Sequence, residues 1–187
     1  QIKSGTDDDL CNEELHKLYM SLLGAVAYTN HTRMDISVFV SALQRYSAKP
    51  QIMHVKKLNR LLRWLQLHPK RLTYRRMNLS HGEHLRVVSD AAFKRETEDG
   101  YSLRGAVFLR CCTESQLAEG AHPEEARDVI CHVLDWACKS QRHVVRSTFG
   151  AELLGATDSI DQGIIVSQML YEVRNGSITA NEARKMR

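Results

Sequence analysis

The sequence predicts an α/β protein in which a helical N-terminal segment precedes a three-stranded antiparallel meander covered by one long helix. Apolar residues recur at helical spacing between residues 15 and 65, whereas three later runs have strand character, at residues 85–92, 102–112 and 129–137. A second helical pattern, at residues 149–174, follows the third strand. Because one face of a meander needs cover, we expect this helix to pack on the sheet.

Three helices are predicted in the N-terminal segment. The first ends near Asn30, the second begins with Asp35 as its N-cap, and the third follows Pro50, which breaks the pattern. One face of the third helix is apolar and another is cationic, with Trp64 nearby as a packing residue. This helix is therefore suited to lie along a phosphate backbone.

The domain boundary is predicted between residues 80 and 81. A short strand at residues 71–77 and a linker at residues 78–82 precede the sheet. Residues 1–80 then form a basic helical region, and residues 81–187 form the domain that contains the sheet.

The covering helix has a predicted start at Ser147 and Thr148 and a predicted stop at Gly176. Its three glycines lower the helix propensity, which is tolerated where the helix closely approaches a sheet. A second short helix is predicted after Ser177, with a capping start at Thr179. The residues expected to form the apolar face of the covering helix are Leu153, Ala156, Ile160, Ile164 and Leu170.

Composition and charge restrict the class of protein. No apolar run approaches the roughly 18 residues of a membrane span, and five cysteines without a CxxC pair favour reduced thiols. We therefore expect an intracellular protein of the cytoplasm or nucleus, without a membrane partner. Residues 31–80 carry eleven Lys or Arg residues and the single acidic Asp35. This charge indicates an anionic partner, although solvated helix faces would also explain it.

Several short motifs follow one another in a fixed order along the second half of the chain. They are Ser89-Asp90-Ala91, Gly105-Ala106-Val107-Phe108, Trp136-Ala137-Cys138-Lys139-Ser140-Gln141 and Ser147-Thr148-Phe149-Gly150-Ala151-Glu152. Together with residues 19–28, 31–36 and 54–65, these motifs resemble the Pol polyproteins of copia-type LTR retrotransposons. The resemblance covers residues 15–168, from the region after the polymerase palm into the N-terminal part of a ribonuclease H domain.

The resemblance implies metal-dependent hydrolysis of the RNA strand of RNA–DNA hybrids. Asp90 and Glu152 would be the catalytic, metal-binding carboxylates, and oxygen ligands suit Mg²⁺ or Mn²⁺. A two-metal site is expected only in the complete domain. The expected partners are a hybrid or other nucleic acid and the remainder of a Pol polyprotein. The candidate nucleic-acid contacts are Lys56, Lys57, Arg60, Arg63, Lys139, Arg142 and Arg146.

The family pattern includes further carboxylates after the covering helix, but no strand pattern follows residue 168. We therefore expect this span to be inactive alone. Two alternatives stay open from the residues: a non-catalytic nucleic-acid-binding relic of a retroelement, and a protein-interaction scaffold whose basic face matches an acidic partner.

Overall fold

A computed structural model describes residues 6–79, 82–92, 102–113, 129–141, 143–145 and 147–185. The chain divides into two compact units, Gln1–Leu72 and Thr73–Arg187. This division comes earlier in the chain than the boundary predicted after residue 80. None of the helices in the described ranges combines the length and apolar character needed to cross a bilayer.

The first unit contains three α-helices, α1 (Glu13–Thr29), α2 (Ser37–Gln44) and α3 (Ile52–Leu67), with a 3₁₀ helix (Met34–Ile36) before α2. The predicted end of the first helix is confirmed. Its start is fixed by Asn12, whose side-chain oxygen accepts a hydrogen bond from the backbone N–H of Leu15 at 2.9 Å.

The prediction that Asp35 is an N-cap is wrong. Its carboxylate accepts hydrogen bonds from Arg33, at 2.9 Å from Nε and 3.0 Å from Nη2, and α2 begins without a side-chain cap. A guanidinium satisfies both carboxylate oxygens at once, so it outcompetes a backbone N–H. The same hydrogen bonds hold the pKa of Asp35 below its usual value.

The core of the first unit is built from the apolar faces of α1, α2 and α3. Tyr19 is fully buried, and its hydroxyl donates to the carbonyl of Leu43 at 2.9 Å. Burial raises the pKa of Tyr19 to about 12. The apolar stripe predicted for the third helix consists of Val55, Leu58, Leu62 and Leu65. It is confirmed, because the first two are buried and the other two pack against the core, and Leu61 is an additional buried member. The buried residues are Tyr19, Leu23, Val26, Ile36, Val40, Leu43, Val55, Leu58 and Leu61.

The second unit contains a three-stranded antiparallel sheet in the order β1 (Glu83–Ala92), β2 (Leu103–Thr113) and β3 (Val129–Ser140). The three predicted strands are confirmed, so the protein is of the mixed α/β class. The predicted strand at residues 71–77 is wrong, because residues 71–79 have no regular structure. The segment reaches β3 through a side chain instead: the Tyr74 hydroxyl donates to the carbonyl of Val133 at 2.9 Å.

Helix α4 (Thr148–Asn175) follows the sheet and packs mainly on β1. Its predicted ends are confirmed: the Ser147 hydroxyl accepts from the N–H of Gly150 at 3.0 Å, and Gly176 has a φ of 85°. The short helix α5 (Ala180–Lys185) begins with a capping box, in which the N–H of Thr179 donates to Glu182 at 2.8 Å.

The predicted apolar face of α4 is wrong in part: Ala156, Ile164 and Leu170 are half-buried, but none of the five predicted residues is fully buried. Leu153 and Ile160 are 55% and 60% exposed, whereas the buried stripe consists of Ala151, Gly155, Ser159 and Gly163. Small residues on this stripe let the helix backbone approach the sheet. A Cβ atom built on Gly155 would lie 3.5 Å from the Cβ of Ala91, so the predicted close approach at the glycines is confirmed.

Candidate metal site and nucleic-acid interface

Asp90 lies near the end of β1, opposite Gly105 of β2, and its side chain is exposed. The neighbouring Ala91 is 5% exposed and contacts α4 at Gly155. Because successive side chains of a strand point to opposite faces, Asp90 projects from the sheet face that α4 does not cover.

Glu152 lies in the second turn of α4 and is half-buried. This turn is attached to the end of β3 by Gln141, whose side-chain Nε2 donates to the carbonyl of Ala151 at 2.6 Å. The N–H of Gln141 donates in turn to the carbonyl of Ser102 at 2.8 Å. Gln141 therefore fixes the position of the Glu152 turn relative to the sheet.

Asp90 and Glu152 lie at the same end of the second unit, since Gly155, one turn beyond Glu152, sits over Ala91. Neither carboxylate has a cation partner in the described part of the chain. The described residues contain no cluster of three or more His, Cys, Asp and Glu that could hold a metal. The metal-binding role of the pair stays a prediction.

Two other carboxylates of this unit, Asp158 and Glu83, are already paired with arginines. Asp158 of α4 is paired with Arg104 of β2. Glu83, at the start of β1, accepts from Arg110 of β2 and from Arg174 at the end of α4, both at 2.6 Å. Glu83, Arg110 and Arg174 form a cluster that joins two strands and a helix. The sequence does not predict this cluster, because its members are distant in the chain.

The candidate nucleic-acid contacts of α3 lie on two faces of the helix. Lys57 and Arg60 line one side of a cavity together with Trp64, as the i, i+3 and i+7 spacing requires. Lys56 points elsewhere, and its Nζ is 2.5 Å from the carboxylate of Asp7.

The remaining candidates are on other elements or outside the described structure. Arg63 of α3 is exposed. Lys139 of β3 is exposed and opposite Arg104. Arg142 and Arg146 lie outside the described residues.

Two thiols meet on the sheet. Cys111 of β2 is fully buried and pairs in register with Cys131 of β3, with 2.8 Å between the sulfur atoms. Burial, followed by the hydrogen bond to Cys131, raises the pKa of Cys111 to about 12. Cys111 is therefore a thiol rather than a thiolate at neutral pH, which is unsuited to nucleophilic chemistry.

Comparison with known proteins points to one class, the retrovirus-related Pol polyproteins of transposons. Two curated relatives from Arabidopsis thaliana are the Pol polyproteins from transposon RE1 and transposon RE2, which are 25% and 26% identical to the chain over 155 residues. Each alignment covers 83% of this chain but 9% of the relative. The resemblance to Pol polyproteins is thereby confirmed. No family model and no solved structure matches the chain.

Proposed function

We propose that the chain is a fragment of a copia-type Pol polyprotein, comprising the connection helices and the first half of a ribonuclease H domain. The complete domain would hydrolyse the RNA strand of RNA–DNA hybrids. The observation that carries the proposal is the arrangement of the matching motifs: the Asp90 strand, its two antiparallel partners and the Glu152 helix form one unit. The similarity to the two Pol polyproteins supports the same origin.

Asp90 and Glu152 have the donor chemistry that Mg²⁺ needs. Both offer carboxylate oxygens without a competing cation among the described residues, and Mg²⁺ is commonly held by one or two carboxylates with waters and substrate phosphates. A bound divalent ion supplies charge neutralisation at the phosphodiester and an acidic water. Because Asp90 projects from the face opposite α4, we expect weak ion binding that the substrate phosphate strengthens.

The basic residues would hold and orient the nucleic acid. Lys57 and Arg60 have no carboxylate partner in the described part of the chain, so their charge is available to phosphate. Each phosphate contact releases condensed counterions, and this makes binding strongly salt-dependent. A non-catalytic nucleic-acid-binding relic would show the same salt-dependent binding. It is the second candidate, because Asp90 projects from the sheet face that α4 does not cover.

Binding of Mn²⁺ in the presence of an RNA–DNA hybrid tests the metal role. Electron paramagnetic resonance would measure free Mn²⁺ for the native chain, Asp90→Asn, Glu152→Gln and the control Asp161→Asn, an exposed carboxylate of α4. We expect severalfold weaker Mn²⁺ binding in the first two variants and native binding in the control. Equal Mn²⁺ binding by all four proteins would contradict the metal role of Asp90 and Glu152 and would favour the non-catalytic nucleic-acid-binding relic.

Hybrid binding tests the nucleic-acid role separately. Fluorescence anisotropy at increasing salt should give a negative slope of log K against log[salt], close to −1 per phosphate contacted. Binding that is absent or independent of salt would favour the protein-interaction scaffold. We expect no cleavage of labelled hybrid by this span alone. Cleavage that either substitution abolishes would instead show that the two carboxylates suffice.

A further inference from the structure

We propose that the cavity between α2 and α3 binds a planar aromatic anion of the nucleotide class, a base or similar ring that carries a phosphate. The cavity has a volume of about 630 Å³ and belongs entirely to the first unit. Small-molecule sites typically enclose about 300–1,000 Å³ and combine apolar walls with a few polar groups. The proposal does not depend on ribonuclease H chemistry, because it uses no residue of the sheet unit.

Aromatic side chains form the walls of the cavity. Tyr46 and His54 stack with their ring centroids 3.9 Å apart, and Trp64 of α3 also lines the cavity. The ring of Trp64 is already occupied, because His68 stacks on it at 4.9 Å and the guanidinium of Arg33 lies 5.4 Å from its centroid. Phe39 and Tyr46 are 54% and 48% exposed, although both are large apolar rings. The exposed rings of Phe39 and Tyr46 suit stacking by a flat ring, and base–aromatic stacking contributes about 1–3 kcal/mol per base.

The ring of His54 is held neutral and fixed in place. Its Nδ1 accepts a hydrogen bond from the backbone N–H of Gln51 at 3.0 Å. Burial, followed by the charge of Lys57, lowers the pKa of His54. Because His54 is 2% exposed, it supports one face of Tyr46, and the exposed ring of Tyr46 forms the uncharged stacking surface. The positive charge of the cavity comes from other residues.

Three cations line the cavity: Lys57, Arg60 and Lys70. Among the described residues that line the cavity, Asp35 is the single carboxylate, and it is already bound by the guanidinium of Arg33 and lies 3.7 Å from Lys70. Among the residues that the structure describes, Lys57 contacts the sulfur of Met53 and Arg60 has no ion pair. The excess positive charge beside aromatic walls selects a ligand that is both flat and anionic.

Isothermal titration of the chain with adenosine monophosphate tests the proposal, with adenosine and ribose 5-phosphate as probes that lack one half of the chemistry. We expect adenosine monophosphate to bind at least tenfold more tightly than either half. Substitution of Lys57→Gln or Arg60→Gln should weaken binding of the monophosphate about tenfold and leave adenosine binding nearly unchanged. Tyr46→Leu should weaken both ligands.

Lys49→Gln is the matched control, since it removes one exposed cation of the same unit that does not line the cavity. Circular dichroism should show native helix content for every variant. Equal losses in Lys49→Gln and Lys57→Gln, or no heat of binding at millimolar adenosine monophosphate, would overturn the proposal. A single-stranded oligonucleotide that outcompetes the free nucleotide, with the same dependence on Lys57, would identify nucleic acid as the source of the ring.

Discussion

The contact between Gly163 of α4 and the sheet makes a quantitative prediction. A Cβ atom at this position would lie 3.0 Å from Cγ2 of Val87, well inside the roughly 3.5–4.0 Å optimum for two carbon atoms. Alanine in place of glycine favours a helix by about 0.8–1 kcal/mol. Overpacking a formed core costs about 1–3 kcal/mol. The net effect of Gly163→Ala is therefore a loss of up to about 2 kcal/mol of unfolding free energy.

Gly155 provides the matched comparison on the same helix stripe. Its added Cβ would meet Ala91 at 3.5 Å, an ordinary contact, so Gly155→Ala retains the gain in helix propensity. We expect Gly155→Ala to raise the free energy of unfolding by about 0.5–1 kcal/mol. Urea denaturation followed by circular dichroism should resolve a difference of this size between the two variants.

A double-mutant cycle identifies the clash as the cause. Val87→Ala removes the atom that the new Cβ would meet, so Gly163→Ala should be far less harmful, or stabilising, in that background. The coupling should amount to about 1 kcal/mol or more. A Gly163→Ala variant that stabilises as much as Gly155→Ala, or a cycle with no coupling, would refute the packing described for α4.

Three further predictions concern protonation, charge and thiol exposure. His54, whose pKa is lowered from 6.5 by burial, binds a proton more readily when unfolded. Its contribution to stability is therefore complete above about pH 6.5 and is lost as the pH falls towards the pKa of the folded state. Urea titrations should give a lower free energy of unfolding at about pH 5.5 than at about pH 7.5, and His54→Gln should make this difference smaller. Glu83→Gln should lower the free energy of unfolding by about 1–3 kcal/mol, whereas Glu13→Gln, in an exposed pair, should change it by less than about 0.5 kcal/mol. In the native chain Cys131, which is exposed, should react with a thiol reagent, while buried Cys112 should react only on unfolding; equal rates would contradict the burial of β2.

The parts of the fold that sequence analysis predicted are those that local chemistry determines. The helix ends at Ser147 and Gly176 follow from a hydroxyl that accepts a backbone hydrogen bond and from a residue that tolerates positive φ. The three strands were recognisable because β-branched and aromatic residues cluster between polar segments.

The errors have a common origin in tertiary contacts. Large apolar residues occur on several sides of α4, so hydrophobicity does not reveal which side is buried. The buried side is instead determined by how closely the helix approaches the sheet. Only small residues, such as Ala151 and Gly163, fit at this distance. In the same way Asp35 was a plausible cap by residue type, but its two oxygens are taken by Arg33.

The candidate site was only partly predictable for the same reason. The motifs gave Asp90 and Glu152, and both belong to the same end of one unit, but the sequence does not reveal which of Asp90 and Ala91 faces α4. The small side chain of Ala91 takes that place beneath Gly155, which turns Asp90 to the other face. To bind one ion together, the side chains of Asp90 and Glu152 would therefore have to meet at the end of the sheet. On the proposed function, phosphates of the hybrid supply ligands in addition to Asp90 and Glu152. Mn²⁺ binding by this span should therefore depend on the hybrid more steeply than on either carboxylate.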